Sequence, residues 1–203
     1  DVRRVVLVSS GAVYGDQPLQ PVAEVAVPRP GTPYAVSKLA AEQYVLALGG
    51  LWGIETVILR VFNAYGPGQP LPPAHAPAIP QFLKAALGGG SLVVYGSGEQ
   101  TRDFVYVSDV VDALQAAAAA TDVDRRVLNV GSGVEVSINT LAQRVGEVTG
   151  RSLHVLHSSA ESGGVSRLVA DLTLARDKLG FRPRIPLEEG LRRVLTEDPQ
   201  FVR

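Results

Sequence analysis

The sequence contains no cysteine and no methionine among its 203 residues, and it has only three histidines. The lack of cysteine excludes disulfide bonds and thiolate metal sites, and the histidines fit no metal-ligand spacing. We therefore predict no metal site. Because cysteine-free chains suit a reducing compartment, we also expect a cytoplasmic protein.

The sequence also lacks a strong net charge and long apolar runs. Nineteen basic residues stand against twenty acidic ones, which gives a formal net charge of −1. Nucleic-acid and anionic-membrane partners select for basic surfaces, so this balance argues against both. No apolar stretch approaches the length of a membrane span, and the first residues do not resemble a signal peptide. We therefore expect neither nucleic acid nor membrane as a partner.

The beginning of the chain is unusual. Translation starts with methionine, which this sequence lacks, and residues 3–9 form a nearly continuous apolar run. Apolar runs of this kind are typical of strands in parallel sheets, which are covered on both faces. We therefore expect the chain to start part-way through a fold.

Strand and helix patterns alternate along the chain. After the strand at residues 3–9, Thr32 and Pro33 are typical of a helix start, and Gly49-Gly50 is typical of a helix end. Residues 54–61 are rich in β-branched side chains and predict the next strand. This order predicts two parallel strands joined by a crossover helix.

The later sequence begins with a loop, because residues 66–80 contain six prolines. The other predicted elements are a helix at 79–87, strands at 92–95 and 102–107, a helix capped by Ser108 and running to about 120, a strand at 126–130, a helix capped by Ser137 and running to about 149, a strand at 153–156, and helices near 173–179 and 187–197. The alternation predicts an α/β fold, with a partial Rossmann-like, doubly wound parallel sheet and a smaller C-terminal α/β region.

Polar candidates fall at one predicted edge of the sheet. Ser10 follows the first strand, Asn63 follows the second, and Tyr34 opens the helix between them. Ligands of open α/β sheets bind beyond the carboxyl ends of the strands, so these residues are candidates for one site. Taken singly, each of Ser10 and Asn63 is more often a residue that caps a turn than a functional one.

Tyr34 and Lys38 are four residues apart and therefore share one face of the predicted helix. A lysine ammonium stabilises a nearby phenolate, so such a tyrosine can act as a general base near neutral pH. The same spacing also occurs by chance on ordinary helix surfaces. The interpretation therefore depends on the rest of the chain.

Five segments in register resemble the extended short-chain dehydrogenase/reductases. They are residues 9–15 (SSGAVYG), 34–38 (YAVSK), 59–67 (LRVFNAYGP), 94–110 (VYGSGEQTRDFVYVSDV) and 128–133 (LNVGSG), and residues 170–171 and 178–181 continue the likeness. The resemblance covers essentially the whole chain and is greatest to the nucleotide-sugar branch, in particular to 4-epimerases of the UDP-glucose type.

The resemblance implies an NAD-dependent epimerisation at carbon 4 of a nucleotide sugar, through a transient 4-keto intermediate. Tyr34 would be the base, Lys38 would hold the nicotinamide ribose, and Ser10 would bind the reacting oxygen. Phe62 and Ser9, together with Tyr34 and Lys38, would line the NAD site. Residues 1–65 would then belong to the NAD-binding Rossmann domain, with returns from the later chain, and residues 66–203 mainly to the substrate region.

The resemblance also implies a substrate site for a nucleotide sugar, and we expect a UDP-sugar. The residues it assigns there are Ser10, Asn63, Ala78, Val93, Tyr95, Arg102 and Arg167. Arg102 would hold the diphosphate through its charge and forked donors, and its alternative role is an ion pair with Asp103 or Glu99. Val93 and Tyr95 would pack around the base.

Departures from the family pattern limit the reaction. Gly11 and Ala12 stand where dehydratases and decarboxylases of the family place acidic residues, which argues against both activities. Glu161 stands where the family has a diphosphate-binding arginine, and we hypothesise that Arg167 replaces it. The glycine-rich turn that receives the NAD pyrophosphate is missing from the sequence, so we expect these residues alone to bind NAD poorly.

Three interpretations remain open at this point: a nucleotide-sugar 4-epimerase, an NAD(P)-dependent 4-keto-sugar reductase, and a non-catalytic nucleotide-sugar-binding module. The family also predicts a homodimer that forms partly through the Tyr34 helix. Ala40, Tyr44 and Ala47 would lie on its outer face, unless that face packs against the sheet.

Overall fold

The computed structural model describes residues 2–72, 76–151, 153–159 and 164–202. Within these ranges the strands are β1 Arg4–Ser10, β2 Glu55–Val61, β3 Asn63–Tyr65, β4 Ser91–Tyr95, β5 Thr101–Arg102, β6 Phe104–Tyr106, β7 Arg126–Val130, β8 Val136–Ser137 and β9 His154–Ser158. The α-helices are α1 Pro33–Trp52, α2 Ala78–Gly88, α3 Val107–Ala119, α4 Ile138–Thr149, α5 Thr173–Leu179 and α6 Leu187–Glu197. A turn of 3-10 helix, Gly11–Tyr14, follows β1 directly.

The largest sheet consists of β1, β2 and β7, with β2 in the centre. All three strands are parallel, which confirms the predicted crossover from β1 through α1 to β2. Helices cover both faces of β2. Glu42 of α1 binds Arg60 on one face, and Leu59 shares a hydrophobic core with Ala113 of α3 on the other. Strands covered on both faces need apolar sequences, as β1 and β2 have.

The second part of the described chain is built from short strand pairs. β3 pairs with β6 and β4 with β9 in parallel, whereas β5 and β8 are antiparallel. A second hydrophobic core supports these pairs and includes Leu83 of α2, Leu141 of α4 and Leu191 of α6. Phe62 belongs to the first core and Tyr65 to the second, so the chain passes from one core to the other at β3.

The predicted end of the first helix is wrong. α1 continues through Gly49-Gly50 to Trp52 and ends at Gly53, which has the left-handed conformation that favours glycine (φ 64°). The physical reason lies in packing. A Cβ added at Gly49 would lie 2.4 Å from the side chain of Thr56, so this glycine allows α1 to approach β2 closely.

The predicted strand at residues 102–107 and the predicted cap at Ser108 are also wrong. The strand is interrupted at Asp103, which separates β5 from β6. The helix begins two residues earlier than a cap at Ser108 would give, at Val107, and no side chain caps its first turn. Asp103 interrupts the strand because its carboxylate bonds to the loop after β7 instead of facing solvent.

Three other predicted helix ends are confirmed. Thr32 caps α1 by accepting a hydrogen bond from the Ala35 amide at 3.1 Å. Ser137 caps α4 in the same way, and Gly150 ends it in the left-handed conformation. None of the helices in the described ranges combines the length and the apolar character needed to cross a membrane.

Candidate active site

A cavity of about 380 Å³ opens at the carboxyl ends of β1 and β2, and we call it the catalytic cavity. Its lining residues are Val8, Ser9, Ser10, Ala12, Tyr34, Lys38, Val61, Phe62, Asn63, Ala64 and Leu168. Parallel strands present their carboxyl ends at the same edge of a sheet, which explains why residues distant in sequence meet here. The structure thus brings together all the residues that the sequence assigns to catalysis and to the cofactor.

The start of α1 carries the tyrosine–lysine pair. Thr32 caps the helix and Pro33 occupies its first turn, so Tyr34 emerges at the helix N-terminus. Tyr34 is 56% exposed. The Lys38 ammonium lies 5.9 Å from the centre of the Tyr34 ring and donates a hydrogen bond to the Val8 carbonyl at 3.1 Å. The lysine is therefore tethered to β1 beside the phenol.

The two serines at the end of β1 point their hydroxyls to different partners. The Ser10 Oγ accepts a hydrogen bond from the Ala12 amide at 3.1 Å, which leaves its proton available for donation. Ser9 is buried, and its hydroxyl donates to Glu42 of α1. Because its hydroxyl proton is used by Glu42, Ser9 cannot donate that proton to the cofactor, as its predicted cofactor role would suggest.

A buried ion pair behind the catalytic cavity was missed by the sequence reasoning. Arg60 of β2 donates to both carboxylate oxygens of Glu42, at 2.9 and 2.7 Å. Burial is the largest single influence and disfavours the Arg60 charge. The hydrogen bonds and charges of Glu42 and Tyr14 together outweigh it and raise the Arg60 pKa. The signal in the sequence was a lone arginine within an apolar strand, because a buried charge needs a partner.

The ion pair continues into a polar network under Tyr14. The Arg60 guanidinium lies 4.7 Å from the centre of the Tyr14 ring, and the Tyr14 hydroxyl donates to Asn129 of β7 at 2.7 Å. Burial raises the pKa of Tyr14 to about 12. The network thus connects α1 and β2, which line the catalytic cavity, to β7.

A second cavity, of about 340 Å³, lies beside the first, and we call it the nucleotide cavity. Its lining residues are Asn63, Ala64, Tyr65, Gln69, Pro77, Ala78, Ile79, Arg102, Phe104 and Ile138. Three of them, Asn63, Ala78 and Arg102, are predicted substrate residues. Gln69, Phe104 and Ile138 were missed, because no motif in the sequence distinguishes them from core or loop residues.

Arg102 is the cationic residue of the nucleotide cavity. Its guanidinium donates to the carbonyls of Thr101 and Val165 at 2.7 and 2.8 Å, and it forms no ion pair within the described ranges. Burial lowers the Arg102 pKa, since desolvation penalises its charge. The alternative of an ion pair with Asp103 or Glu99 is therefore not what the structure contains. A partly desolvated guanidinium favours an anionic ligand.

Three predicted substrate residues lie outside both cavity linings. Val93 and Tyr95 are exposed on one face of β4. Arg167 instead forms a two-pronged ion pair with Glu135, at 2.7 and 2.8 Å. The hydrogen bonds from Arg167 lower the Glu135 pKa to about 2. Glu161, which the sequence contrasts with Arg167, lies outside the described residues.

The fold and the site define a class of protein. A parallel α/β sheet carries a Ser, a Tyr and a Lys at its carboxyl edge, next to an arginine-lined cavity, which is the arrangement of a Rossmann-type nucleotide-sugar enzyme. The sequence model of the NAD dependent epimerase/dehydratase family matches residues 1–131. The chain belongs to this family.

Two named relatives support the assignment. The UDP-glucose 4-epimerase of Mycolicibacterium smegmatis is 36% identical over 191 residues, which are 94% of this chain and 60% of that protein. The structure of the Thermotoga maritima UDP-glucose 4-epimerase with UDP-glucose has a TM-score of 0.89 at 33% identity, over 96% of this chain and 62% of that one.

A third relative was solved with cofactor. The Bacillus cereus UDP-glucuronic acid 4-epimerase, in complex with UDP-glucuronic acid and NAD, has a TM-score of 0.86 at 29% identity. The likeness covers 94% of this chain and 60% of that one. The chain therefore spans about three-fifths of the length of the relatives that it matches.

Proposed function

We propose that the whole protein is a cytoplasmic, NAD-dependent epimerase that inverts carbon 4 of a UDP-sugar, and that this chain supplies its base and its substrate site. One observation carries the proposal. Asn63 lines both cavities, so a ligand that binds Arg102 through its diphosphate can extend its sugar past Asn63 toward Tyr34 and Ser10.

Each polar residue of the catalytic cavity has a role in this reaction. Tyr34 takes the proton of the sugar hydroxyl at carbon 4 and returns it after inversion. Ser10, whose proton is free to be donated, binds the same oxygen. Lys38, held at the Val8 carbonyl, orients the cofactor ribose and stabilises negative charge on the phenol oxygen. NAD, held by Lys38 and Phe62, would supply the hydride acceptor and donor for carbon 4.

The residues present fit the nicotinamide end of NAD. Phe62 presents a flat apolar wall to the catalytic cavity, and Lys38 presents a cation with donors to spare. A Cβ added at Gly11 would lie 3.0 Å from the Phe62 ring, so the glycine allows the ring to lie flat against the backbone. The sequence contains no glycine-rich dinucleotide turn, so these residues include no binding site for the pyrophosphate of NAD.

The nucleotide cavity accounts for the other half of the substrate. Arg102 and Asn63 supply donors for the diphosphate, and Ala78 supplies an apolar wall. Val93 and Tyr95 form an exposed apolar face on β4, which suits stacking of a uracil base. Several solved relatives carry UDP-sugars, including UDP-glucose and UDP-glucuronic acid.

The surroundings of Ser10 support epimerisation over dehydration or decarboxylation. Those reactions need a further acid or base near the sugar. At position 11 a side chain would collide with Phe62, and at position 12 the cavity is lined by an alanine methyl group. Neither position can transfer a proton.

The test follows carbon 4 of the substrate. The whole protein is incubated with UDP-glucose and NAD, and the 4-epimer is quantified by NMR. Replacing Tyr34 with Phe removes the base and keeps the ring, so the rate should fall by about 10²–10⁴-fold. Tyr44→Phe is the matched control, because Tyr44 lies on the exposed face of the same helix, and its rate should stay unchanged.

The same assay separates the rival functions. An epimerase returns its NAD unchanged, whereas a 4-keto-sugar reductase consumes NADPH in proportion to product. A non-catalytic module binds UDP-glucose and produces neither epimer nor oxidised cofactor. Full activity of Tyr34→Phe would contradict the assignment of the base.

We also propose a homodimer formed through α1. Tyr44, Leu51 and Trp52 of this helix are exposed by 67% or more, and Ala40 and Ala47 are exposed beside them. The alternative that this face packs against the sheet is therefore wrong. A second copy is the occupant we favour, because the family is expected to dimerise here. Light scattering should give twice the monomer mass, and Trp52→Glu should give the monomer mass.

A further inference from the structure

Asp103 is the most completely bonded carboxylate in the described part of the chain. It is fully buried at the break between β5 and β6. One oxygen accepts from the Ser132 amide and hydroxyl, both at 2.6 Å, and the other accepts from the amides of Gly133 and Ala170 at 3.0 and 3.1 Å. Four donors fill the capacity of an ionised carboxylate, so its orientation is fixed.

These four donors belong to parts of the fold that are far apart in sequence. Ser132 and Gly133 form the loop that follows β7 of the large sheet, and Ala170 lies in a bridge with Val22. A Cβ added at Gly131 would lie 2.5 Å from the Asp103 carboxylate, so the loop can close on it only with glycine at this position. The carboxylate therefore attaches the second part of the fold to the first.

The backbone of Asp103 supports two of the polar residues that line the nucleotide cavity, Asn63 and Arg102. Its carbonyl accepts from the Asn63 amide at 3.0 Å and from the Asn63 side chain at 3.1 Å. Its neighbour in the chain is Arg102, whose guanidinium lines the same cavity. Asn63 and Arg102 therefore both take their positions from residue 103, and residue 103 takes its own from the carboxylate.

We propose that Asp103 is a positioning residue for the nucleotide diphosphate, which it does not touch itself. This inference rests on the proposed function, since it assumes that Arg102 and Asn63 bind a diphosphate. Loss of the carboxylate leaves the 131–133 loop without its acceptor and lets the turn between β5 and β6 rotate. The contacts to the phosphates should then weaken, whereas contacts to the nucleoside should not.

The test compares UDP with uridine. In Asp103→Asn the amide nitrogen faces backbone donors, so at least one of the four hydrogen bonds is lost. We expect UDP to bind this variant about tenfold more weakly in calorimetry, the effect of one charged hydrogen bond, and uridine to bind as it does to the unchanged chain. In an Arg102→Ala background the same substitution should add little, because both changes act on one contact.

Asp109→Asn is the matched control. Asp109 is as buried as Asp103 and accepts from the Ile185 amide at 3.1 Å, but it lines neither cavity. Its substitution should shift the melting temperature without changing the affinity for UDP. If Asp103→Asn does not fold, Ser132→Ala removes the hydroxyl donor to Asp103, together with the acceptor of the Val134 amide. This variant should give a smaller loss that is still specific to UDP.

Two outcomes overturn the inference. One is an equal loss of affinity for UDP and uridine, which would mean a structural role only. The other is unchanged UDP affinity in both Asp103→Asn and Ser132→Ala. Failure of the unchanged chain to bind UDP would instead contradict the proposed function, and the inference would fall with it.

Discussion

Different interactions hold the structural elements around the two cavities in place. Behind the catalytic cavity, α1 and β2 are joined by a buried ion pair between Glu42 and Arg60, within a sheet covered on both faces. Around the nucleotide cavity, short strand pairs are joined by backbone hydrogen bonds that converge on one carboxylate, Asp103. The first arrangement fixes whole elements, and the second fixes individual turns.

The interactions around the catalytic cavity therefore serve mainly the stability of the fold, and those around the nucleotide cavity serve mainly the placement of ligand-binding groups. A base such as Tyr34 must keep its place relative to the sheet through a complete reaction cycle, and a covered sheet with a buried ion pair provides that rigidity. A diphosphate site needs donors at defined angles, which turns can supply. We call the elements around the catalytic cavity the first region and those around the nucleotide cavity the second region. Substitutions in the first region should therefore mainly lower the stability of the fold, and substitutions in the second should mainly lower the affinity for the ligand.

The largest effect on stability is expected from Glu42→Gln. The substitution leaves the Arg60 guanidinium buried without its counter-charge, which costs about 3–5 kcal/mol of unfolding free energy. Urea denaturation followed by circular dichroism measures this change. While the variant is folded, its affinity for UDP should equal that of the unchanged chain, because Glu42 lines neither cavity.

Glu55→Gln is the control, because Glu55 lies on β2, the strand that carries Arg60. Glu55 pairs with Arg4 at 2.6 Å, but half of the Glu55 side chain is exposed, so the loss should be about 0–1 kcal/mol. Equal losses of unfolding free energy for Glu42→Gln and Glu55→Gln would contradict the comparison. They would mean that the buried Glu42–Arg60 pair stabilises the fold no more than an exposed pair does.

The sequence predicted the first region well for a physical reason. The apolar strands β1 and β2 and the cap at Thr32 are local signals, and parallel pairing then forces Ser10, Tyr34 and Asn63 to one edge. The partner of Arg60 could not be predicted with equal ease. Its charge demands a partner, but periodicity alone does not say that Glu42 faces the sheet.

The second region was predicted less well. Ala78 and Arg102, which the sequence assigns to the substrate, line one cavity with Asn63, whereas Val93 and Tyr95 lie outside its lining. The β5–β6 break at Asp103 left no local signal, because its cause is a set of donors about 30 or more residues away. Short strands joined by turns depend on such distant contacts more than covered sheets do.

The smallest effect is expected at the surface, from Arg167→Ala. In the unchanged chain, hydrogen bonds from Arg167 lower the Glu135 pKa from 4.5 to about 2. A carboxylate with a lowered pKa stabilises the fold above its ordinary pKa, and this contribution is lost as the pH falls from 4.5 toward 2. In the variant, the NMR titration midpoint of the Glu135 carboxyl carbon should rise toward 4.5, though Thr101 still donates to it.

The same titration tests whether Arg167 is a phosphate ligand. If Arg167 leaves Glu135 to bind the diphosphate, saturating UDP should raise the Glu135 midpoint, and Arg167→Ala should weaken UDP binding. Arg144→Ala is the control, because Arg144 is a half-buried arginine that pairs with Glu147 and Glu188 and lines neither cavity. An unchanged midpoint and unchanged affinity would make the Arg167–Glu135 pair a fixed surface contact. Phosphate recognition would then rest on Arg102 and Asn63, and hence on the turn that Asp103 holds.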